Sequence, residues 1–89
     1  MRVLFTGIGW QDTLHWAESD PGTLRKVNEL VKDIRRSPSK GIGKPEPLKG
    51  ALSGWWSRRI TGEHRIVYRV VGTAGQDQQV EIAACRYHY

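Results

Sequence analysis

The spacing of apolar residues predicts one strand followed by two helices in the first part of the chain. Residues 2–6 form a short, mostly apolar run that is typical of a strand. Trp10, Leu14 and Ala17 then follow at i, i+4 and i+7, which predicts a helix that buries this face. His15 would lie at the surface or at the boundary of that face, since no metal-binding partner is near it in the sequence.

A second amphipathic helix is predicted to begin at Pro21. Asp20 is a favoured N-cap residue, and proline is favoured at the first helical position. Ser37-Pro38 ends the helix, because the residue before a proline avoids the helical conformation. The two helices together predict a helical hairpin whose apolar face covers a sheet. The apolar stripe of the second helix consists of Leu24, Val27, Leu30, Val31 and Ile34.

Residues 55–71 have the pattern of a β-hairpin. Two runs rich in aromatic and β-branched residues flank a polar turn that contains Gly62. If residues 61–63 form the loop, Arg59 lies opposite Arg65, although two opposed cations destabilise a sheet. For any single arginine, a solvated surface position is the simpler interpretation. The set as a whole favours an anion-binding site. It comprises Arg58, Arg59, Arg65 and Arg69.

The segment between the helices and the hairpin predicts a loop of defined shape. Residues 39–54 contain four of the ten glycines and two of the four prolines. Glu46 lies between Pro45 and Pro47, and both prolines restrict the backbone around it. An exposed glutamate in a proline turn is the simpler alternative to a rigidly held acid.

The last strand is predicted over residues 80–84, and the chain ends in the aromatic sequence CRYHY. Strict alternation along this strand would place Ile82, Ala84, Arg86 and His88 on one side. We therefore expect an α+β fold, a small antiparallel β-sheet with a helical hairpin packed on one face. The open face would carry Glu46, Arg59, Arg65 and His88 in a single domain, residues 1–89.

Composition narrows the choice of partner and compartment. A formal charge of +5 and a pI near 9.8 favour a polyanionic partner, either a nucleic acid or an acidic protein segment. Cys85 is the only cysteine, so an internal disulfide is excluded. No segment has the pattern of a signal peptide or a membrane span. We therefore expect a cytoplasmic protein with no membrane partner.

The candidate catalytic groups favour metal-free RNA cleavage. The three histidines are far apart in sequence, so a metal site is not indicated. The sequence also lacks the glycine-rich loop of a P-loop protein and the motif of a nucleophile elbow. One glutamate, one terminal histidine and several arginines remain. Such a set can remove the proton of a 2′-hydroxyl, protonate the departing 5′-oxygen and stabilise the phosphorane.

Four further segments matter together: KPEPLK at residues 44–49, SGWWSRRI at 53–60, EHR at 63–65 and ACRYHY at 84–89. In these segments the chain resembles the YoeB-type toxins of the RelE/ParE superfamily of bacterial toxin–antitoxin systems. The resemblance implies a RelE-like microbial RNase fold and a ribosome-dependent endoribonuclease that cleaves mRNA. It also implies a YefM-like antitoxin with an acidic segment as partner, and it is compatible with a homodimer.

The same resemblance implies roles for individual residues. Glu46 corresponds to the general base, His88 to the general acid and Arg65 to the group that stabilises the phosphate, although the sequence also allows the acid and base roles to be exchanged. The supporting contacts would come from Lys49, Arg59 and Tyr89. Two functions of other classes stay open: a ParE-like inhibitor of DNA gyrase without nuclease activity, and a plain RNA-binding module.

Overall fold

The computed structural model describes residues 1–87, which fold into two helices and a five-stranded sheet. No helix in this part of the chain is both long and apolar enough to cross a membrane. The elements in chain order are β1 (Arg2–Phe5), α1 (Gly7–Ser19), α2 (Pro21–Arg36), β2 (Glu46–Pro47), a short 3-10 helix (Gly50–Leu52), β3 (Trp56–Arg59), β4 (Arg65–Val71) and β5 (Gln79–Ala84).

The sheet has the order β1-β5-β4-β3-β2 and is mixed rather than purely antiparallel. β1 pairs in parallel with β5, and both helices and the strands β2, β3 and β4 lie between them in the chain. The other neighbouring strands are antiparallel. The α+β prediction with helices on one face is confirmed. The strand β2 was not predicted, since it lies within the segment expected to be a loop.

The core lies between the helices and one face of the sheet. Val27, Leu30 and Ile34 of α2 have no exposed surface, while Leu24 and Val31 lie at the edge of the core, so the predicted stripe is confirmed. The strands contribute Ile66, Tyr68, Val80 and Ile82, which are also fully buried. The predicted start of α2 is confirmed too, because the Asp20 side chain accepts a hydrogen bond from the backbone N–H of Thr23.

The predicted buried face of α1 is wrong. Trp10 is 52% exposed and Leu14 42% exposed, whereas Trp16 is 5% exposed. α1 presents Gly9 to the sheet, where a Cβ atom would lie 2.5 Å from the carbonyl oxygen of Ile82. This close approach turns Trp10 outward. Trp10 and Leu14 lie one helical turn apart and therefore form an exposed apolar surface, called here the apolar surface of α1.

Strict alternation along β5 fails after Ile82, because the register shifts where this strand pairs with β4. Ile82 lies opposite Tyr68 and faces the core, but Ala84 lies opposite Val67 and faces the open side. Cys85 then turns inward and is fully buried. The expected grouping of Ile82 with Ala84 is thus wrong, and the expected position of His88 lies outside the described residues.

Candidate functional site

The strand register places three of the predicted site residues on the open face of the sheet. Glu46 pairs with Ser57, and Arg59 pairs directly with Arg65, as the turn length predicted. Cross-strand partners share a face, and residues two apart on a strand share it as well. Glu46, Arg59 and Arg65 consequently lie on the side of the sheet away from the helices.

Glu46 is held to β3 on both sides of its position. The backbone N–H of Arg59 donates to the carbonyl of Gly43 at 2.7 Å, and the N–H of Leu48 donates to the carbonyl of Trp55 at 2.9 Å. Glu46 is itself exposed, so its carboxylate stays in contact with solvent. A short edge strand tolerates the flanking prolines, because their missing N–H groups need no partner there.

The four arginines of the hairpin have different environments, and Arg58 is not part of the anion site. Its side chain is fully buried on the core side of β3 and forms an ion pair with Asp33 at 2.5 Å. Its Nε donates to the hydroxyl of Tyr68, and its two terminal nitrogens donate to backbone carbonyls. All five N–H groups of this guanidinium therefore have acceptors.

This buried arginine fixes the loop that precedes Glu46. Its backbone acceptors are the carbonyl oxygens of Ser37, Lys40 and Ile42. The hydroxyl of Tyr68 donates to a further loop carbonyl, that of Pro38, at 2.6 Å, and burial raises the pKa of this phenol. Residues 37–42 are thus attached to the core, and this attachment restrains the beginning of the segment that was predicted to be a loop of defined shape.

Asp33 is the carboxylate partner in this network. Hydrogen bonds from Arg36 and then from Arg58 lower the pKa of Asp33 to about 2, and the backbone N–H of Ile42 contributes in the same direction. Asp33 follows Leu30 by three residues, which places it beside the apolar stripe of α2. A carboxylate at that position, together with an arginine on the core side of β3, was the sequence signal for this pair.

Arg65 and Arg69 face the same side of the sheet but differ in charge balance. Arg69 forms an ion pair with Glu81 at 2.5 Å and lies over the ring of Trp55. Arg65 instead donates from Nη1 to the carbonyls of Thr61 and His64, at 2.9 and 3.1 Å. Within residues 1–87, no carboxylate pairs with Arg59 or Arg65. In the described part of the chain, the positive charges at this end of the open face therefore have no direct ion-pair partner.

The backbone of Tyr87 is bound to the end of the hairpin next to Arg65. The Nδ1 atom of His64 accepts a hydrogen bond from the N–H of Tyr87 at 2.7 Å. The N–H of Arg65 donates to the carbonyl of Tyr87 at 3.1 Å. His64 directly precedes β4 and was given no role from the sequence, so this contact was not predicted.

The described structure does not bring Lys49 into contact with this group. Lys49 is exposed at the start of the 3-10 helix, while His88 and Tyr89 lie outside the described residues. Burial raises the pKa of the Cys85 thiol to about 11, so a thiolate nucleophile is disfavoured at neutral pH. In residues 1–87, no three side chains of His, Cys, Asp or Glu are grouped as a metal site requires.

Comparisons with known proteins identify relatives along the whole chain. Residues 5–89 match the family model of the YoeB-like toxin of bacterial type II toxin–antitoxin systems. The toxin YoeB of Streptomyces coelicolor is 54% identical over 89 residues, all of both chains. The solved YoeB/ParE toxin from Agrobacterium tumefaciens is 47% identical, with a TM-score of 0.96 and complete coverage of both chains.

Two solved structures from Staphylococcus aureus contain a similar chain in different assemblies. One is a YoeB dimer, with a TM-score of 0.88, and the other is a heterotetrameric YoeB–YefM toxin–antitoxin complex, with a TM-score of 0.87. In both, the matched chain is 41% identical, and the match covers all of the present chain and 98% of the other.

Proposed function

The chain belongs to the YoeB-like toxins of bacterial type II toxin–antitoxin systems, and we propose that it inhibits translation by cleaving mRNA in the ribosomal A site. The observation that supports this most directly is the open sheet face, where one exposed carboxylate shares a side with two arginines that form no ion pair within residues 1–87. A base and a cation on one accessible face are what phosphodiester cleavage by a 2′-hydroxyl requires.

In the proposed reaction, Glu46 accepts the proton of a ribose 2′-hydroxyl while the 2′-oxygen attacks the adjacent phosphorus. The bond from phosphorus to the 5′-oxygen of the next nucleotide breaks, and His88 supplies the proton that this oxygen takes up. The products are a 2′,3′-cyclic phosphate and a 5′-hydroxyl end. Arg65 stabilises the charge of the phosphorane, and Lys49, Arg59 and Tyr89 contact the RNA. Neither a metal nor a cofactor takes part.

The spacing of the strands is compatible with an RNA backbone between Glu46 and Arg65. These residues are two strands apart and offset by two residues. With about 4.8 Å between strands and about 3.3 Å per residue, their Cα atoms are about 12 Å apart. Both side chains extend from the same face, so a ribose and its phosphate can lie between them. Arg59 is on β3, the strand between β2 and β4, and adds positive charge along this path.

The catalytic role is tested by comparing Arg65→Ala with Arg69→Ala. Both arginines are on β4 and face the same side, but the charge of Arg69 is balanced by Glu81. Loss of a group that stabilises the transition state typically lowers the rate by about 10²–10³, or roughly 2.7–4 kcal/mol. We expect this fall in single-turnover cleavage of ribosome-bound mRNA for Arg65→Ala, with a smaller change in binding. Arg69→Ala should retain cleavage.

Equal losses of cleavage and binding in Arg65→Ala would make Arg65 a binding residue only. Intact mRNA in the presence of the unsubstituted protein would contradict the nuclease proposal as a whole. Inhibition of DNA gyrase, or RNA binding without cleavage, would then be the function to test.

The proposed protein partner is a cognate antitoxin, as in the S. aureus YoeB–YefM complex. The arginines of the open face that form no ion pair within residues 1–87 suit an acidic antitoxin segment, which would exclude RNA from the same surface. A second copy of the chain is the other proposed partner, as in the S. aureus YoeB dimer. We propose the apolar surface of α1, within residues 1–87, for this contact. Association removes exposed apolar groups from water, which is favourable in free energy.

A further inference from the structure

We infer that His64 is a positioning residue that holds the backbone of Tyr87 beside Arg65 and thereby sets where the catalytic end of the chain begins. This inference rests on the proposed function, since it assigns His64 a role in the same RNA cleavage. The proposed reaction assigns the His64 side chain no contact with RNA.

Two hydrogen bonds fix the Tyr87 backbone to consecutive residues of the hairpin. Its N–H donates to Nδ1 of His64 at 2.7 Å, and its carbonyl accepts from the backbone N–H of Arg65 at 3.1 Å. Nδ1 can accept only if the imidazole proton is on Nε2, so this contact also selects one neutral tautomer. The hydrogen bond from the Tyr87 N–H can thus be removed by substituting the His64 side chain, without altering the strand backbone.

The imidazole is held in place by its neighbours. The His64 side chain is 14% exposed, and its ring contacts the ring of Trp16 edge to face, with 4.7 Å between centroids. Nε2 points towards the carboxylate of Glu63, which is 3.7 Å away. Trp16 in turn donates from Nε1 to the carbonyl of Cys85 at 2.8 Å. The buried indole therefore supports both the imidazole and the chain two residues before Tyr87.

The conformation of Tyr87 shows why such a restraint is needed. Its φ angle is +63°, in the left-handed region that residues with a side chain rarely adopt. Without hydrogen bonds to the hairpin, we expect Tyr87 to favour an extended backbone. The two bonds select the rarer conformation at the last described position of the chain.

The functional consequence follows from covalent connectivity. Consecutive Cα atoms are about 3.8 Å apart, so fixing Tyr87 limits where His88 begins relative to Arg65. Misplacing a catalytic group by about 1 Å can lower a rate by as much as about 10²-fold. His64 should accordingly affect the rate of the chemical step, while RNA binding through Arg59 and Arg65 is retained.

The inference is tested with His64→Phe and the matched control His15→Phe. Phenylalanine keeps a ring against Trp16 but has no acceptor for the Tyr87 N–H. His15 also contacts the ring of Trp16, at 4.8 Å between centroids, but does not contact Tyr87. We expect His64→Phe to lower single-turnover cleavage of ribosome-bound mRNA by about 10–10²-fold at saturating toxin, with unchanged binding. His15→Phe should cleave like the unsubstituted protein.

A second pair of variants separates the acceptor from the ring. In His64→Asn the amide oxygen can take the place of Nδ1, whereas in His64→Gln the amide lies nearer the place of Nε2. We expect Asn to restore more cleavage than Gln, and this comparison decides the question if His64→Phe does not fold. Equal activity of Asn and Gln would overturn the inference.

Amide hydrogen exchange of Tyr87 provides a readout that does not depend on RNA. Its N–H should be protected in the unsubstituted protein and in His15→Phe, but should exchange faster in His64→Phe. The inference would be overturned if folded His64→Phe exchanged the Tyr87 amide, or cleaved mRNA, at the rate of the unsubstituted protein. Equal slowing of cleavage in His64→Phe and His15→Phe would overturn it as well. If the unsubstituted protein leaves mRNA intact, the proposed function fails, while the exchange data still show whether His64 holds Tyr87.

Discussion

Replacing Arg58 with Met removes the buried cation that connects the sheet, α2 and the loop before Glu46. Met has a similar length and leaves no polar group behind, so the change isolates the lost ion pair and hydrogen bonds. Three backbone carbonyls and the hydroxyl of Tyr68 lose a donor at the same time. Asp33 keeps Arg36 and the Ile42 N–H as partners.

The expected cost for Arg58→Met is about 3–5 kcal/mol, the usual range when one partner of a buried ion pair is removed. Small domains have a total stability of only about 5–15 kcal/mol, so this one change would remove a large fraction of it. The loop carbonyls can recover part of the loss by binding water, because residues 39–42 are exposed. The loss of stability is therefore smaller than the sum of five separate hydrogen-bond energies.

Arg59→Met is the matched control, since it makes the same change at the next residue, whose side chain is exposed on the open face. We expect it to change stability by no more than about 0.5 kcal/mol, as is typical of surface positions. Urea unfolding followed by tryptophan fluorescence measures both free energies of unfolding. Similar midpoints and slopes for the two variants would refute the structural role assigned to Arg58.

Three further predictions concern acid stability, the C-terminus and self-association. The pKa of Asp33 is about 2 in the folded chain, against 3.8 for an unperturbed carboxyl, so its contribution to stability is complete above about pH 4 and is lost as the pH falls towards 2. In Asp33→Asn, the free energy of unfolding should therefore fall less steeply between pH 4 and pH 2 than in the unsubstituted protein. An unchanged pH dependence would contradict this assignment. His88→Gln should abolish mRNA cleavage while circular dichroism shows a retained fold, and an active variant would remove the proposed acid. Trp10→Glu should shift any dimer towards monomer in light scattering without loss of fold, and an unaffected dimer would exclude the apolar surface of α1 as the contact.

Features determined by local sequence could be predicted. The Asp20 cap and the α2 stripe depend on spacing within one helix, and both are confirmed. The Arg59 and Arg65 pairing depends on the number of residues in one turn, which fixes the register of a hairpin. This register also places both arginines on the face that carries Glu46.

Features set by contacts between distant segments were missed. The rotation of α1 follows from the fit of Gly9 against Ile82, and apolar spacing within the helix contains no information on that contact. The register shift at the end of β5 depends on its pairing with β4 and reverses the expected alternation. The bond from Tyr87 to His64 joins residues 23 positions apart, so neither residue alone indicated it.

The chemistry of the RNA ends distinguishes attack by a 2′-hydroxyl from hydrolysis by water. A reporter mRNA is translated in a cell-free reaction with the toxin, and its fragments are mapped and their ends identified. We expect cuts within the codon in the ribosomal A site, with 5′-hydroxyl and 2′,3′-cyclic phosphate ends. We expect no cut where a single 2′-deoxynucleotide replaces the attacking ribose. Fragments with 5′-phosphate ends, or cleavage at the 2′-deoxy position, would contradict attack by a 2′-hydroxyl.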